Sequence, residues 1–284
     1  MALVKVSEIL KMADKANTAV IAFNCVDYSQ VHAVCTVAEE LGKPVLIALY
    51  PGHSTGFKCT IPEGFAPMAI YEAQRVSVPV GLHLDHCSDM EYIKRAIDLG
   101  FSSIMYDGSA LPVEENIANT KAVVEYAHAR GVDVEGELGC VGSAANGEDQ
   151  NNVDMYTKPE DAKRFCEETG CDAIAVSIGS AHGFYTRTPR LDLERLRQIN
   201  AATDVPLVLH GGSGIPEDQL EKAFTMGINK FNVGTEFFRA HYEAVEAFVK
   251  ANEDNKQAVI LDVPVPAQEA LKNYLREKML LTKM

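Results

Sequence analysis

Eight short apolar segments, rich in β-branched residues, recur along the 284-residue chain and alternate with longer segments. Many of the longer segments show the spacing of apolar residues that is typical of amphipathic helices. Strands that alternate with helices of about 10–15 residues indicate βαβ units and a parallel sheet. We predict strands at Ala19–Phe23, Val45–Ala48, Val80–Leu84, Ser103–Tyr106, Asp133–Glu137, Ala173–Ser177, Leu207–Leu209 and Phe231–Val233.

Eight such units predict an α/β fold, a closed (β/α)8 TIM barrel that residues 1–284 form as a single domain. The alternative is a doubly wound open sheet, which usually carries a G-x-G-x-x-G turn after its first strand. Here Phe23-Asn24-Cys25 stands at that place, which favours the barrel. We predict helices at Ser29–Leu41, Glu91–Leu99, Val113–Ala129, Ala162–Thr169, Leu193–Ala201 and Glu217–Met226, and an extra C-terminal helix at about Pro266–Met279.

The charge and the cysteine content exclude several classes of partner. The formal net charge is −14 and no basic run is present, whereas nucleic-acid binding requires clustered Lys and Arg. No run of about 18 apolar residues occurs, so we expect no membrane span. The seven Cys form no C-x-x-C pair, which is typical of a reducing compartment. We therefore expect a cytoplasmic protein that binds neither nucleic acid nor membranes.

Three of the eight His residues stand at the carboxyl ends of predicted strands, where a barrel carries its active site. They are His86, His182 and His210. Three protein ligands and an open position make a catalytic zinc site, and imidazole is a common zinc ligand. A single His at a strand end is more often structural, but three of them with carboxylates nearby favour a metal site.

Several other polar residues share these strand ends. Asp85, next to His86, is either a general acid/base or a residue that orients the histidine. Asp107 and Glu137 are either similar site residues or a helix cap and a salt-bridge partner. His83 alternates with Asp85 along the strand, so it is either a core histidine or a supporting residue.

A glycine-rich segment after the seventh strand predicts an anion site. Gly211-Gly212-Ser213-Gly214 precedes Pro216, which suits the first turn of a helix. Backbone N–H groups at a helix start bind anions, and phosphate sites after strands seven and eight are frequent in barrels. Together with Asn232-Val233-Gly234-Thr235 after the next strand, the segment favours a phosphorylated substrate.

Five motifs in this order resemble the class II, metal-dependent ketose-bisphosphate aldolases, in the branch that holds the fructose- and tagatose-bisphosphate aldolases. The resemblance covers nearly the whole chain, from Phe23 to about Phe238. The motifs are VGLHLDHC at Val80–Cys87, VEGELG at Val134–Gly139, Ala181-His182-Gly183, LHGGS at Leu209–Ser213 and NVGTE at Asn232–Glu236.

The resemblance implies an aldolase that reversibly cleaves a ketose 1,6-bisphosphate or a ketose 1-phosphate into dihydroxyacetone phosphate and an aldehyde. It implies one catalytic Zn2+ held by His86, His182 and His210. Asp85 would move the proton of the C4 hydroxyl. Members of the family often use Na+ or K+ near the phosphate, and they are dimers or tetramers. A homodimer or homotetramer is therefore expected.

The resemblance also assigns supporting roles. Glu137 matches an alternate metal-binding glutamate, Gly183, Gly211, Ser213 and Thr235 match the contacts to the phosphate, and Asn232 matches the residue near the carbonyl carbons. Beyond the resemblance, we expect substrate contacts from Asn24, Ser54, Gly212 and Gly234, and support of the site from His83 and Asp107.

Two segments depart from the family pattern. The second motif normally continues to acidic residues directly after a Gly-Gly or Gly-Ser pair, one of which is catalytic in some relatives. Here Gly142-Ser143 is followed by Ala144-Ala145-Asn146, so Glu148 is either that catalytic residue in a longer loop or part of a solvated loop.

The second departure concerns the far phosphate of a bisphosphate. Relatives usually bind it with the Arg of an Asp-Pro-Arg-like segment before the last helix, but residues 255–264 contain no Arg here. Lys58, Lys256 or the Tyr50–Thr60 loop, which contains His53, Ser54 and Thr55, are the candidates to replace it. The sequence therefore leaves open which chemical group the substrate carries at its far end.

The sequence disfavours three other activities. A Schiff-base aldolase needs a lysine in its pocket, and Lys230, the one Lys at a strand, is predicted at the far end of strand eight. A metal-dependent sugar isomerase would want more carboxylate ligands. A non-catalytic barrel subunit would have lost ligands, whereas Asp85 and the three histidines are all present.

Overall fold

The computed structural model describes residues 3–55, 60–139, 141–142 and 155–284. Eight parallel strands close into a barrel in which each strand pairs with the next and the eighth pairs with the first. The (β/α)8 barrel is thus confirmed, and every predicted strand overlaps an observed one. The strands are β1 (Val20–Asn24), β2 (Val45–Leu49), β3 (Val80–Cys87), β4 (Ser103–Tyr106), β5 (Asp133–Leu138), β6 (Ala173–Val176), β7 (Leu207–Leu209) and β8 (Ile228–Val233).

Helices alternate with these strands along the chain. The six predicted barrel helices are all observed, and the C-terminal helix begins at Pro264 instead of Pro266. The helices are α1 (Val6–Lys15), α2 (Tyr28–Leu41), α3 (Pro51–Thr55), α4 (Pro62–Gln74), α5 (Met90–Asp98), α6 (Val113–His128), α7 (Pro159–Thr169), α8 (Leu193–Ala202), α9 (Glu217–Thr225), α10 (Thr235–Ala251) and α11 (Pro264–Met279), with a 3-10 helix at Ile260–Asp262. Each helix in the described part of the chain is too short or too polar to cross a membrane.

Two helices outside the βα repeat complete the barrel. Val6, Ile9 and Leu10 of α1 are buried in one apolar cluster with interior residues of the strands. Gly81 on β3 leaves room for this packing, because a Cβ atom there would lie 2.8 Å from Cγ2 of Val6. At the other end of the chain α11 packs against α2 and α10, and Nε2 of Gln268 donates to the backbone oxygen of Ser29 at 2.6 Å.

The barrel interior becomes polar toward the carboxyl ends of the strands. Lys230 was predicted at the far end of strand eight, which is wrong, because β8 begins at Ile228 and Lys230 lies within it, fully buried. Its Nζ atom lies 2.7 Å from Oε2 of Glu135 and 3.4 Å from Nε2 of His83. A charge is tolerated at this depth only when a partner neutralises it. Glu135 provides that partner.

The same network holds His83 as a neutral residue. Its Nδ1 atom lies 2.9 Å from Oγ of Ser103. Burial, and then the charge of Lys230, lowers the pKa of His83 to about 3. His83 is therefore an uncharged part of the barrel core that contacts the Lys230–Glu135 ion pair.

We expect Lys230→Met to lower the free energy of unfolding by about 3–5 kcal/mol, because it leaves the carboxylate of Glu135 buried without a countercharge. Urea denaturation in the presence of a metal chelator measures this. Lys94→Met removes a lysine from the exposed ion pair with Glu91 and is the matched control, with a much smaller expected loss. Equal losses in the two variants would contradict the role of the buried pair.

Candidate functional site

A cavity of about 570 Å³ opens at the carboxyl ends of the strands. His83 lies beneath it in the barrel core, Glu148 lies outside the described residues, and so does the side chain of Ser54. The other fourteen predicted site residues all line the cavity: Asn24, Asp85, His86, Asp107, Glu137, His182, Gly183, His210, Gly211, Gly212, Ser213, Asn232, Gly234 and Thr235.

A break in strand β3 brings two consecutive side chains into this cavity. Successive residues of a regular strand point to opposite faces of the sheet. The pairing of β3 with β4 shifts register between Leu84 and Cys87, and His86 has a left-handed backbone with φ of 43°. Asp85 and His86 consequently both line the cavity. Such a conformation is costly for a residue other than glycine and is characteristic of functional sites.

His86, His182 and His210 form a group that can hold a metal ion. Each ring offers one nitrogen as a ligand atom, and these three nitrogens lie within 4.8 Å of one another. Burial lowers the pKa of His182 to about 3, so this ring is neutral and able to coordinate. The donor set, three imidazoles on three different strand ends, fits a tetrahedral zinc site with one open position.

The two nitrogens of His86 have different surroundings. Nδ1 lies 2.9 Å from Oδ2 of Asp107, whereas Nε2 is buried and has no hydrogen-bond partner among the described residues. Although burial opposes protonation, the carboxylates of Asp85, Asp107 and Glu137 raise the pKa of His86 to about 10. Because Asp107 and Glu137 lie beside Nδ1, Nε2 is the nitrogen that is left for a metal ion.

Glu135 fixes the orientation of His210. The Nε2 atom of His210 lies 2.8 Å from Oε1 of Glu135. Burial would raise the pKa of Glu135, but Lys230 and His210 lower it below its ordinary value. An ionised carboxylate can only accept, so Nε2 of His210 donates and Nδ1 carries a lone pair, with Nδ2 of Asn232 3.4 Å away. Glu135 was not predicted, although its spacing of two from Glu137 on β5 was a signal that it points into the barrel.

Asp85 is held as an ionised carboxylate by two amides. It accepts hydrogen bonds from Nδ2 of Asn24 at 2.8 Å and from Nδ2 of Asn232 at 2.9 Å. Burial opposes its ionisation, but the nearby rings of His86 and His210 lower its pKa below the ordinary value. Asp85 is thus able to accept a proton from a group bound in the cavity.

Glu137 differs from the aspartates in the cavity because its pKa is raised and not lowered. Burial raises its pKa to about 8, and its Oε2 atom has no hydrogen-bond partner among the described residues. The same atom lies 3.6 Å from Nδ1 of His86. With His86 and Asp107, Glu137 forms a second group able to hold a metal ion, which agrees with an alternate ligand position.

Backbone glycines form the wall of the cavity beside β7 and β8. A Cβ atom on Gly211 would lie 2.4 Å from the oxygen of Ala181, and one on Gly212 would overlap the ring of Phe231. Only glycine fits at these two positions, because the segment packs directly against the backbone of Ala181 and the ring of Phe231. The adjoining helix α10 begins at Thr235. Its positive dipole end therefore favours an anion at this wall.

The sequence model of one family, class II fructose-bisphosphate aldolase, matches residues 4–284. A fructose-bisphosphate aldolase of Geobacillus stearothermophilus is 40% identical over 86% of this chain and 85% of its own length. A 6-phospho-5-dehydro-2-deoxy-D-gluconate aldolase of Bacillus licheniformis is 39% identical over 98% and 95%. The crystal structure of the YdjI aldolase of Escherichia coli K12 has a TM-score of 0.86 at 36% identity, over 98% of this chain and 97% of that one.

Replacing Glu135 by Gln should weaken zinc binding by about 10–100-fold, because an amide no longer fixes the tautomer of His210. Competition with a fluorescent chelator measures the zinc dissociation constant. Asp133→Asn is the matched control, since Asp133 lies on the same strand but accepts from the backbone of Ser7, away from the histidines. An unchanged constant in Glu135→Gln, or an equal loss in the control, would contradict this role.

Proposed function

Because the chain belongs to the class II fructose-bisphosphate aldolase family, we propose that it is a zinc-dependent aldolase that releases dihydroxyacetone phosphate from a ketose phosphate. The observation that carries this proposal is the presence of Asp85 and the three-histidine group in one cavity. A metal site, an ionised base and an anion-binding wall are the three parts that the cleavage requires.

The substrate is a phosphorylated ketose of fructose or tagatose type. Two relatives support this, because their names describe the cleavage of phosphorylated sugars. We assign the phosphate beside the ketone to Gly183, Gly211, Ser213 and Thr235. Backbone N–H groups and a helix start bind this phosphate. A protein with a net charge of −14 can therefore take an anionic substrate without a basic surface.

His86, His182 and His210 would hold the zinc ion. When bound there, zinc supplies a Lewis acid that polarises the ketone and stabilises the negative charge that develops as the C3–C4 bond breaks. Glu135 and Asp107 keep two of the three rings in the orientation that coordination needs. Lys230 stays in its ion pair with Glu135 and does not line the cavity, so a Schiff base finds no lysine among the described lining residues.

Asp85 takes the proton of the C4 hydroxyl as the aldehyde forms, and returns it in the direction of synthesis. Asn24 and Asn232 fix the carboxylate for this transfer through their hydrogen bonds. The Oδ1 atom of Asn232 is buried and has no hydrogen-bond partner among the described residues, so it remains for a substrate hydroxyl. Asn24 therefore orients the base, and Asn232 contacts both the base and the substrate.

The enzyme works as a cytoplasmic homodimer or homotetramer of single-domain subunits. Cytoplasmic location is supported by the five described cysteines, which form no disulfide. Association is supported by an apolar segment that runs from the 3-10 helix into the start of α11, in which Ile260, Leu261 and Val265 are 77%, 80% and 72% exposed. Apolar side chains grouped in this way mark a contact surface, and we assign it to a second copy of the chain.

Asp85→Ala should abolish cleavage and leave zinc binding intact. The loss of a positioned base lowers kcat by about 10²–10⁴-fold. Release of dihydroxyacetone phosphate and zinc content by mass spectrometry test the two halves of the statement. Asp98→Ala removes an exposed aspartate from α5 and controls for the change in charge. Unchanged turnover in Asp85→Ala would refute the assignment of the base.

A double substitution, Ile260→Asp with Leu261→Asp, should dissociate the oligomer, because it places two charges in a surface that excludes water on association. Sedimentation velocity measures the molecular mass, with 31.0 kDa expected for the subunit. Glu253→Gln, on an exposed residue beyond α10, serves as the control. An oligomer of unchanged mass in the double variant would contradict this assignment of the contact surface.

A further inference from the structure

The half of the cavity opposite the phosphate-binding wall is lined by hydroxyl-bearing side chains, a histidine and an aspartate, with no lysine or arginine among its described lining residues. We infer that the preferred substrate is a ketose 1-phosphate whose far end carries hydroxyl groups in place of a second phosphate or a carboxylate. This inference rests on the proposed aldolase function and names the substrate class for that site.

The order of the strands defines which side chains meet the far end. The phosphate-binding wall follows β7 and β8, and in a closed barrel of eight strands these lie across the mouth from β3 and β4. Asp85 and His86, which act at the broken bond, stand at the end of β3 and so on the side across from the phosphate-binding wall. A ketose bound by its phosphate must therefore direct its far end toward the residues after β2, β3 and β4. In the cavity these are Tyr50, His53, Ser88, Asp107 and Ser109.

Basic residues are scarce in all eight loops that follow the strands. Between each strand and the next helix the sequence contains only Lys58, Lys158, Arg187 and Arg190. Arg187 and Arg190 line two other surface depressions, and Lys158 is exposed directly before α7. The segment 143–154, whatever its position, has no Lys or Arg and three acidic residues. Of the two lysines that the sequence offers for this end, Lys58 lies outside the described residues, and Lys256 is exposed beyond α10 and does not line the cavity.

The charge that is present at the far side is negative. The carboxylate of Asp107 lines this side, accepts from the hydroxyl of Ser109 at 2.6 Å and lies 2.9 Å from Nδ1 of His86. Placing a second phosphate beside this carboxylate brings two like charges together and weakens binding. A bidentate arginine, the usual partner of a phosphate, is missing among the described residues of the cavity.

The polar groups at the far side match hydroxyl groups instead. The Nδ1 atom of His53 is buried without a hydrogen-bond partner among the described residues. Burial lowers the pKa of His53, so its ring is neutral and pairs with a hydroxyl as donor or acceptor. Tyr50 and Ser88, which both carry a hydroxyl group, line the same side. A sugar hydroxyl both donates and accepts, as these groups require.

The first experiment compares kcat/KM of the zinc-loaded full chain for fructose and tagatose 1-phosphates, their 1,6-bisphosphates, and 6-phospho-5-dehydro-2-deoxygluconate, which carries a carboxylate. We expect a 1-phosphate to exceed every other sugar by at least about tenfold. The dissociation constants of the Asp85→Ala variant, measured by calorimetry, should show the same order without turnover. A bisphosphate or the carboxylate that is used equally well, or better, would overturn the inference. No release from any sugar would instead overturn the proposed function on which it rests.

The second experiment supplies the missing cation. Ser88 is exposed at the cavity, so Ser88→Arg is accommodated there, and Ser88→Gln adds a long neutral side chain as the matched control. Arg should shift the ratio of kcat/KM for bisphosphate over 1-phosphate upward by at least about tenfold, since it pairs with a phosphate through two hydrogen bonds. The Gln variant should keep the original ratio. An unchanged ratio in the Arg variant, or an equal shift in both, would contradict the placement of the far end.

Discussion

The break in strand β3 is the constraint on which the site depends. A regular strand would place Asp85 and His86 on opposite faces, so that one of them would be lost to the space between barrel and helices. The left-handed backbone of His86 removes this conflict at a cost of about 1–3 kcal/mol. The base and a metal ligand are thereby neighbours in sequence and in the cavity, and their distance is set by the backbone itself.

A network of buried polar and charged side chains connects the site to the interior of the barrel. His210 contacts Glu135, Glu135 contacts Lys230, and Lys230 reaches His83. Each of these side chains has a hydrogen-bond or ion-pair partner in the network, which a polar group needs in a protein core. This network lies between the apolar cluster around α1 at one end of the barrel and the cavity at the other end. The barrel core is thus part of the support of the metal site as well as of the fold.

The sequence predicted the barrel because its eight strands and intervening helices are strictly periodic, and it predicted most of the cavity because strand ends meet at one face. The sequence did not predict two features of the site. Lys230 looked like an entry residue, since nothing local shows that β8 starts at Ile228. Glu135 gained its role from His210, 75 residues away. Contacts of this kind arise only when distant strands close into a barrel.

The central claim is that three histidines on three strands hold one zinc ion beside Asp85. X-ray absorption at the zinc edge of the zinc-loaded protein tests it most directly, because the chain also contains seven cysteines that compete for zinc. We predict a first shell of three imidazole nitrogens at about 2.0–2.1 Å and no sulfur. A sulfur scatterer at about 2.3 Å, or a shell that contains fewer than three imidazoles, would contradict the account.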